Sequence, residues 1–130
     1  MTLKTYRDLT VWQKAMDLVV AVYGLSRRLP AEERFGLMSQ MQRASVSVPA
    51  NIAEGYGRIH RGEYVHHLSI ARGSLAELET HVAIAVRLEY VAREDAVEVW
   101  NLAQEVGKML SSLIQSLNKA CQVRSLDPRP

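Results

Sequence analysis

Four segments of the chain repeat apolar or small residues in alternating steps of three and four, and this period constrains the fold more than any other feature. The longest run consists of Tyr64, Leu68, Ala71, Leu75, Leu78, Val82 and Ala85. Steps of three and four keep side chains on one face of an α-helix and produce a heptad pattern. The run therefore predicts a long amphipathic helix that packs against other helices.

Three further segments follow the same steps. They consist of Trp12, Met16, Val19, Tyr23 and Ser26; of Met38, Met41, Ser45, Val48 and Ile52; and of Ala96, Trp100, Ala103, Gly107, Leu110, Ile114 and Leu117. With 130 residues, 48% of them hydrophobic and only 7 Gly and 4 Pro, the chain has the composition of one helix-rich domain. Short connections make neighbouring helices antiparallel. We predict an all-α fold, an antiparallel up-down-up-down four-helix bundle over residues 1–122, with a disordered tail over residues 123–130.

Two local signals refine the first and second helices. Thr10 and Gln13 have the spacing of a capping box, which predicts that the first helix is capped at Thr10. Pro49 lies inside the second segment, where it removes one backbone hydrogen bond. Because the apolar period stays in phase from Val48 to Ile52, we expect one helix kinked at Pro49 rather than two helices.

The third helix carries a second stripe beside its main apolar face. It mixes apolar and half-polar residues, namely His67, Ile70, Ser74, His81, Ile84 and Leu88. The first helix is similarly broad, since other apolar residues lie off its Trp12–Tyr23 line, namely Val11, Leu18, Val22, Leu25 and Leu29. Broad stripes also occur in helices that simply face a wide core. A mixed stripe is more typical of a surface buried on assembly, so the six residues of the third helix are a candidate oligomer interface.

A polar face runs along the second helix. It consists of Gln40, Arg43, Ser47, Asn51 and Glu54, and it continues to Arg58. Glu54 and Arg58 form an i,i+4 pair with the acid first, which is the favoured order. The face is either a solvated helix back or a hydrogen-bonded network at a contact between helices or subunits, which would fix their register.

Several blocks of the sequence resemble a known protein family. They are residues 9–13, residues 35–37, Gln40 with Arg43 and Ala44, Ser47 with residues 51–55, and residues 70–74 with Glu77 and Leu78. In order and spacing they are similar to the 23S ribosomal RNA intervening-sequence protein family, over about residues 6–117. The resemblance implies a small bacterial four-helix bundle that assembles into a ring-like homopentamer. It also implies a relationship to the accessory variability determinant of diversity-generating retroelements, a basic pentameric barrel that binds nucleic acid and a reverse transcriptase.

The charge of this chain is nearly balanced, which distinguishes it from a strongly basic nucleic-acid binder. The net charge is +2, but residues 1–60 carry eight Lys and Arg against five Asp and Glu, whereas residues 61–130 carry eight against nine. Candidate nucleic-acid contacts are therefore arginines in or near the positive half, namely Arg27, Arg28, Arg43, Arg58, Arg61 and Arg72. A salt-bridged surface without such a ligand is an equally compatible interpretation.

The sequence contains no recognisable catalytic motif. Glu63 and His66 have the spacing of one arm of a di-iron site, but the second arm that such a site needs is missing. The single cysteine, Cys121, excludes a disulfide framework within the chain and a multi-cysteine zinc site. We therefore predict no catalytic, cofactor-binding or metal-ligating residues and no cofactor.

We thus predict a non-enzymatic, homo-oligomeric binding or accessory protein. Nucleic acid, either RNA or DNA, is the leading ligand class. The alternative is a structural scaffold that recognises a protein partner and binds no nucleic acid, and a metallo-enzyme ranks third. Because the sequence has neither a signal peptide nor an apolar stretch long enough to cross a bilayer, we expect no membrane association and a cytoplasmic location.

Overall fold

The computed structural model describes residues 4–125, with side chains through residue 120, and it is built from four α-helices. Helix α1 spans Thr10–Ser26, α2 spans Leu37–Tyr56, α3 spans Arg61–Arg87 and α4 spans Arg93–Ser125. Two 3₁₀ turns precede α1 and α2, at Tyr6–Asp8 and Ala31–Glu33. Within the described residues no β-strand occurs, and the all-α prediction is confirmed.

The helices form a closed antiparallel bundle. Each packs against two others, in the order α1, α2, α3, α4 and back to α1. The direction of α2 and α3 is clear from two side-chain contacts: Ser47 lies against Ser74, and Asn51 lies against His67, so numbers rise along one helix as they fall along the other. The predicted four-helix bundle is therefore confirmed. Residues 126–130 of the predicted tail lie outside the described residues, and the predicted domain boundary stays a prediction.

The start of α1 differs from the predicted capping box. Its N-cap is Leu9, which supplies no side-chain hydrogen bond. The capping box instead lies one turn earlier, where Thr5 Oγ1 accepts from the backbone N–H of Arg7 and Asp8 Oδ2 accepts from the backbone N–H of Thr5. The Gln13 side chain donates to the Arg7 carbonyl at 2.8 Å and so joins the 3₁₀ turn to α1. Thr10 was therefore wrong as the cap, because the short 3₁₀ turn carries that role.

The buried face of α3 matches the predicted apolar run, but the buried face of α1 does not. In α3, all of the predicted residues from Leu68 to Ala85 are buried. In α1, the buried apolar residues are instead Val11, Ala15, Leu18, Val22 and Leu25, although Ser26, the last member of the predicted line, is also buried. The predicted line was wrong because its large members are amphipathic or flexible and lie at the edge of the core: Trp12 and Tyr23 are half-buried, and Met16 is 41% exposed.

Helix α4 departs from its predicted run most clearly at Trp100, and Gly107 and Leu117 of that run are only half-buried. Ala96, Ala103, Leu110 and Ile114 are buried, as the heptad pattern predicts. Trp100 is 43% exposed, and Val99 and Val106 take the core positions beside it. The large indole, with its polar N–H, lies at the edge of the core, whereas the smaller valines are buried.

Helix α2 continues through Pro49 as a single helix, as predicted. Pro49 is buried, and the apolar side chains of Val48 and Ile52 on either side of it are fully buried. The hydroxyl of Ser45, four residues earlier, donates to the Gln42 carbonyl at 2.8 Å. Packing of this apolar face therefore holds the helix together across the missing backbone donor.

The corrected core of α1 can be tested with a matched pair of variants. Leu18→Ala should lower the free energy of unfolding by about 2–5 kcal/mol, because it leaves a cavity at a fully buried site. Met16→Ala, two residues away on the exposed side, should cost less than about 1 kcal/mol. Urea denaturation at one fixed chain concentration measures both, and equal losses would contradict the assignment.

Candidate functional site

Four polar side chains connect α2 to α3. Ser47 Oγ lies 2.9 Å from Ser74 Oγ, and Asn51 Oδ1 lies 3.1 Å from Nδ1 of His67. The Asn51 amide also donates to the carbonyl and the hydroxyl oxygen of Ser47, at 2.9 and 3.0 Å. All four side chains are half-buried, and we call them the inter-helix polar network. Half of the network comes from the predicted polar face of α2 and half from the predicted second stripe of α3.

The polar network lies beside a point of very close helix approach. A Cβ atom at Gly55 would lie only 2.8 Å from Cβ of His67 and 3.2 Å from the backbone carbonyl of Tyr64. Because real side chains do not tolerate such distances, this position requires glycine. The spacing of Asn51 and Gly55 along α2 thus sets how closely and in which register α3 packs.

The remaining members of the polar face point outward. Gln40, Arg43 and Glu54 are exposed, and Glu54 forms an ion pair of 2.6 Å with Arg58. The polar face is therefore divided: its central Ser47 and Asn51 bind α3 within the same chain, while its other members contact solvent. Such an exposed ion pair contributes little to stability.

The candidate oligomer stripe of α3 is divided in the same way. His67 and Ser74 join the inter-helix polar network, and His81 is buried. The three aliphatic members remain exposed, with relative exposures of 39% for Ile70, 41% for Ile84 and 52% for Leu88. We call these three residues the exposed aliphatic strip. Exposed apolar surface of this kind is typical of a site of contact with another molecule.

His81 is a buried imidazole with an incomplete set of hydrogen bonds. Its Nδ1 has no partner among the described residues, and its Nε2 lies 3.7 Å from Glu77 Oε1. Burial lowers the pKa of His81, and the nearby Glu77 carboxylate opposes this only in part. The imidazole is therefore neutral near pH 7.

The surface between α3 and α4 is a groove rich in cations. Its middle and lower part, toward the end of α4, is lined by polar and positive residues, namely Arg72, Gln104, Lys108, Ser111, Gln115, Asn118 and Lys119. Its upper part, toward the α3–α4 turn, contains Arg87, Arg93, Trp100 and Asn101 with apolar neighbours. The carboxylate lining the groove is Glu79, which accepts from the Gln104 amide at 3.3 Å and whose pKa is raised by burial. We call this surface the cationic groove.

The opposite side of α4 has the reverse charge. The groove between α1 and α4 has a volume of about 680 Å³ and contains Asp17, Asp95 and Glu98. The positive side chain that lines it, Arg28, forms an ion pair with Asp95 at 2.7 Å. Helix α4 thus separates an acidic groove from the cationic groove.

The candidate nucleic-acid contacts do not form one patch on a single chain. Arg27 and Arg28 follow the end of α1, whereas Arg58 and Arg61 flank the α2–α3 turn at the other end of the bundle. Helix α2, of 20 residues and about 30 Å, separates the two groups. Arg43 lies on the exposed side of α2. Of the six candidates, Arg72 is the one that lines the cationic groove.

The sequence contains a signal for the cationic groove that a charge count by halves does not detect. Arg93, Lys108 and Lys119 lie on the side of α4 that faces α3. The acidic Asp95 and Glu98 of the same helix face α1. The two signs cancel in a sum over residues 61–130, although they lie on different faces. A helical projection of α4 separates them.

Metal binding and membrane insertion have no support in the described part of the chain. No three His, Cys, Asp or Glu side chains there converge in a way that would bind a metal ion. No helix within it combines the length and the apolar character needed to cross a bilayer. Glu63 and His66, the single di-iron-like arm, are both exposed. The side chain of Cys121 lies outside the described residues.

Comparisons with known proteins are consistent with this architecture. A family model described as 23S rRNA-intervening sequence protein matches residues 7–112. Among solved structures, the chain is similar to a crystallised protein of unknown function from the S23 ribosomal protein family of Bacteroides thetaiotaomicron, with 29% sequence identity and a TM-score of 0.75. The match covers 81% of this chain and 98% of that chain. A comparison with curated proteins gave no significant match.

The buried His81 predicts a pH dependence of stability. Because burial lowers its pKa in the folded state, the unfolded chain binds more protons below about pH 6.5, and acid favours unfolding. The contribution of His81 to the free energy of unfolding should therefore decrease as the pH falls from 7 to 5. His81→Leu should flatten the pH dependence measured by urea denaturation, whereas Thr80→Ala on the same helix should not. Identical pH slopes for His81→Leu and the unmodified protein would contradict the assignment.

Proposed function

The chain belongs to the 23S rRNA-intervening sequence protein family, as its sequence motifs predict, and from its surface we propose that it is a non-enzymatic, homo-oligomeric accessory protein that binds nucleic acid. The observation that carries the proposal is the cationic groove between α3 and α4. Among the residues that the structure describes, five positive side chains line it against one carboxylate, namely Arg72, Arg87, Arg93, Lys108 and Lys119 against Glu79.

The groove combines the two features that binding of a phosphate backbone needs. Its positive side chains attract phosphates and release condensed counterions, which supplies affinity that does not depend on base sequence. Its uncharged polar side chains, such as Asn118 and Gln115, can donate hydrogen bonds to phosphate or sugar oxygens. Since Asp95, Glu98 and Glu105 of α4 lie on its side toward α1, the near-neutral net charge of the chain does not weaken this surface greatly.

The exposed aliphatic strip supports the oligomeric part of the proposal. Ile70, Ile84 and Leu88 are exposed along α3, and Ile70 falls between His67 and Ser74 of the inter-helix polar network. Burying them against a second copy would remove apolar surface from water, at about 25 cal/mol per Å². Assembly would also place several cationic grooves on one particle, so that modest affinity at each groove would become strong binding overall.

The acidic groove between α1 and α4 favours a second candidate function, a scaffold that binds a protein partner. Val20 lies in this groove with 73% of its surface exposed, beside the carboxylates of Asp17 and Glu98. An apolar side chain flanked by carboxylates is suited to a basic amphipathic helix. Recovery of a protein partner after nuclease treatment, with no nucleic acid bound, would favour this alternative.

Nucleic-acid binding can be tested through its dependence on salt. We expect the protein to bind a 20-nucleotide RNA at low salt, with an affinity that falls steeply as the salt concentration rises. The double variant Arg72→Gln and Lys108→Gln should reduce the slope of log affinity against log salt by about 1.4, because each neutralised phosphate contact of a single strand contributes about 0.7. Fluorescence anisotropy at several salt concentrations measures both slopes.

The matched control for that experiment is Lys14→Gln. Lys14 lies on the acidic side of the bundle, where it forms an ion pair of 3.5 Å with Glu105, so its loss should leave the salt slope unchanged. Equal effects of the control and the double variant would contradict the placement of the interface. A lack of saturable binding to RNA and DNA at low salt would contradict the proposed function itself.

Oligomerisation can be tested separately on the exposed aliphatic strip. We expect the protein to have a mass several times that of one 14.6 kDa chain, and Ile70→Glu with Ile84→Glu to reduce it toward that of one chain. Both side chains are exposed enough for a carboxylate to reach water, so the bundle should remain helical by circular dichroism. Ile59→Glu, in the exposed α2–α3 turn, is the control and should leave the mass unchanged. A single-chain mass for the unmodified protein in light scattering would refute assembly.

A further inference from the structure

We propose that the upper end of the cationic groove is a nucleotide pocket, in which an unpaired base stacks on Trp100 while its phosphate binds Arg87 and Arg93. The protein would therefore select single-stranded over double-stranded nucleic acid. This inference rests on the proposed function, because it specifies the kind of nucleic acid that the same groove accepts. None of these three residues belongs to the contacts that the sequence alone predicts.

The pocket has the size and the walls of a site for one planar ring system. Its volume of about 520 Å³ falls within the range of about 300–1,000 Å³ that is usual for small-ligand sites. Apolar side chains from both helices line it, with Val82 and Val86 on α3 and Val97 on α4. Trp100 completes the wall, and 43% of its surface is open to solvent. An indole exposed at an apolar pocket provides a stacking surface that the core of the bundle does not use.

Two guanidinium groups lie at the end of this pocket. Arg87 is the last residue of α3 and Arg93 is the first residue of α4, so the turn between the helices brings both to the pocket. Within the described part of the chain, neither arginine forms an ion pair with a carboxylate. Arg93 and Trp100 lie two helical turns apart on the same side of α4, a rise of about 10 Å. Because the arginines and the indole line the same pocket, one nucleotide bound there can present its phosphate to the arginines and its base to the indole.

The geometry favours a single strand because stacking needs an exposed base face. In a duplex, each base face is covered by the neighbouring base pairs, and only base edges and phosphates are accessible. A duplex can therefore use the positive side chains of the groove but not Trp100. In an unpaired strand the base is free to enter the pocket, and Asn101 at its border adds a donor and an acceptor for a base edge.

The test uses the small number of tryptophans in this chain. The chain has 2 Trp, so Trp12→Phe leaves Trp100 as the single indole, whose fluorescence then reports directly on the pocket. Oligouridylate of 12 nucleotides, and a 12-base-pair RNA duplex as the matched control, are titrated at low salt. We expect the single strand to quench Trp100 fluorescence and to bind at least 5-fold more tightly than the duplex, whereas the duplex leaves the fluorescence nearly unchanged.

Substitutions at the pocket separate stacking from charge. Trp100→Ala should weaken binding of the single strand by about 5- to 100-fold, with little effect on the duplex, and Trp100→Phe should restore part of the loss. Arg87→Gln with Arg93→Gln should weaken binding and reduce the salt slope, while retaining quenching at saturation. Circular dichroism of each variant confirms that the bundle is still folded.

The possible outcomes distinguish this inference from the proposed function. Equal affinity for single strand and duplex, together with an unaffected Trp100→Ala variant, would overturn the pocket and leave the nucleic-acid function intact. Absence of binding by both oligonucleotides would overturn the function and the pocket together. Preference for the single strand without quenching of Trp100 would also overturn the pocket, because the selection would then arise elsewhere on the surface.

Discussion

The contact between α2 and α3 determines the geometry of the remaining bundle. Gly55 lets the two backbones approach to a distance that no other residue allows, and the hydrogen bonds of Ser47, Asn51, His67 and Ser74 occur in only one register. A sliding movement of one helix turn would break these hydrogen bonds, each of which contributes about 0.5–1.5 kcal/mol. Apolar packing alone would discriminate far less between neighbouring registers, because aliphatic side chains tolerate many partners. The polar contact therefore supplies specificity, while the surrounding core supplies most of the stability.

The sequence predicts the bundle well because each heptad pattern extends over many residues. One residue that lies off the buried face therefore does not change the predicted helix. In α3 the predicted and observed core agree, since its main face consists of aliphatic side chains with no competing line of similar size. In α1 two adjacent lines have the same period, and the line with the smaller side chains is the buried one. Leu18 and Val22 fill the core better than Met16 or Tyr23, whose flexible or polar parts favour the edge. Period alone does not decide between such lines; the shape and chemistry of the side chains do.

The candidate site was less predictable, for reasons that differ between its parts. The sequence predicts Arg72 as a nucleic-acid contact. The other positive residues of its groove, Lys108 and Lys119, lie more than thirty positions away and come near it only when α3 and α4 pack together. Trp100 has the spacing of a core residue, but in the folded chain Val99 and Val106 are buried in its place and Trp100 is exposed. A net charge summed along the sequence does not reveal the positive groove, because Asp95 and Glu98 on the opposite side of α4 cancel its positive charges. Surface chemistry thus depends on tertiary packing more strongly than the fold does.

The difference in charge between the two sides of α4 limits the symmetry with which copies of this chain can meet. A twofold contact uses the same surface on both partners. If that surface were the cationic groove, Arg72 and Lys108 of one copy would oppose the same residues of the other. Repulsion in a poorly solvated contact disfavours this arrangement strongly. Twofold self-association through the groove is therefore suppressed without any steric barrier.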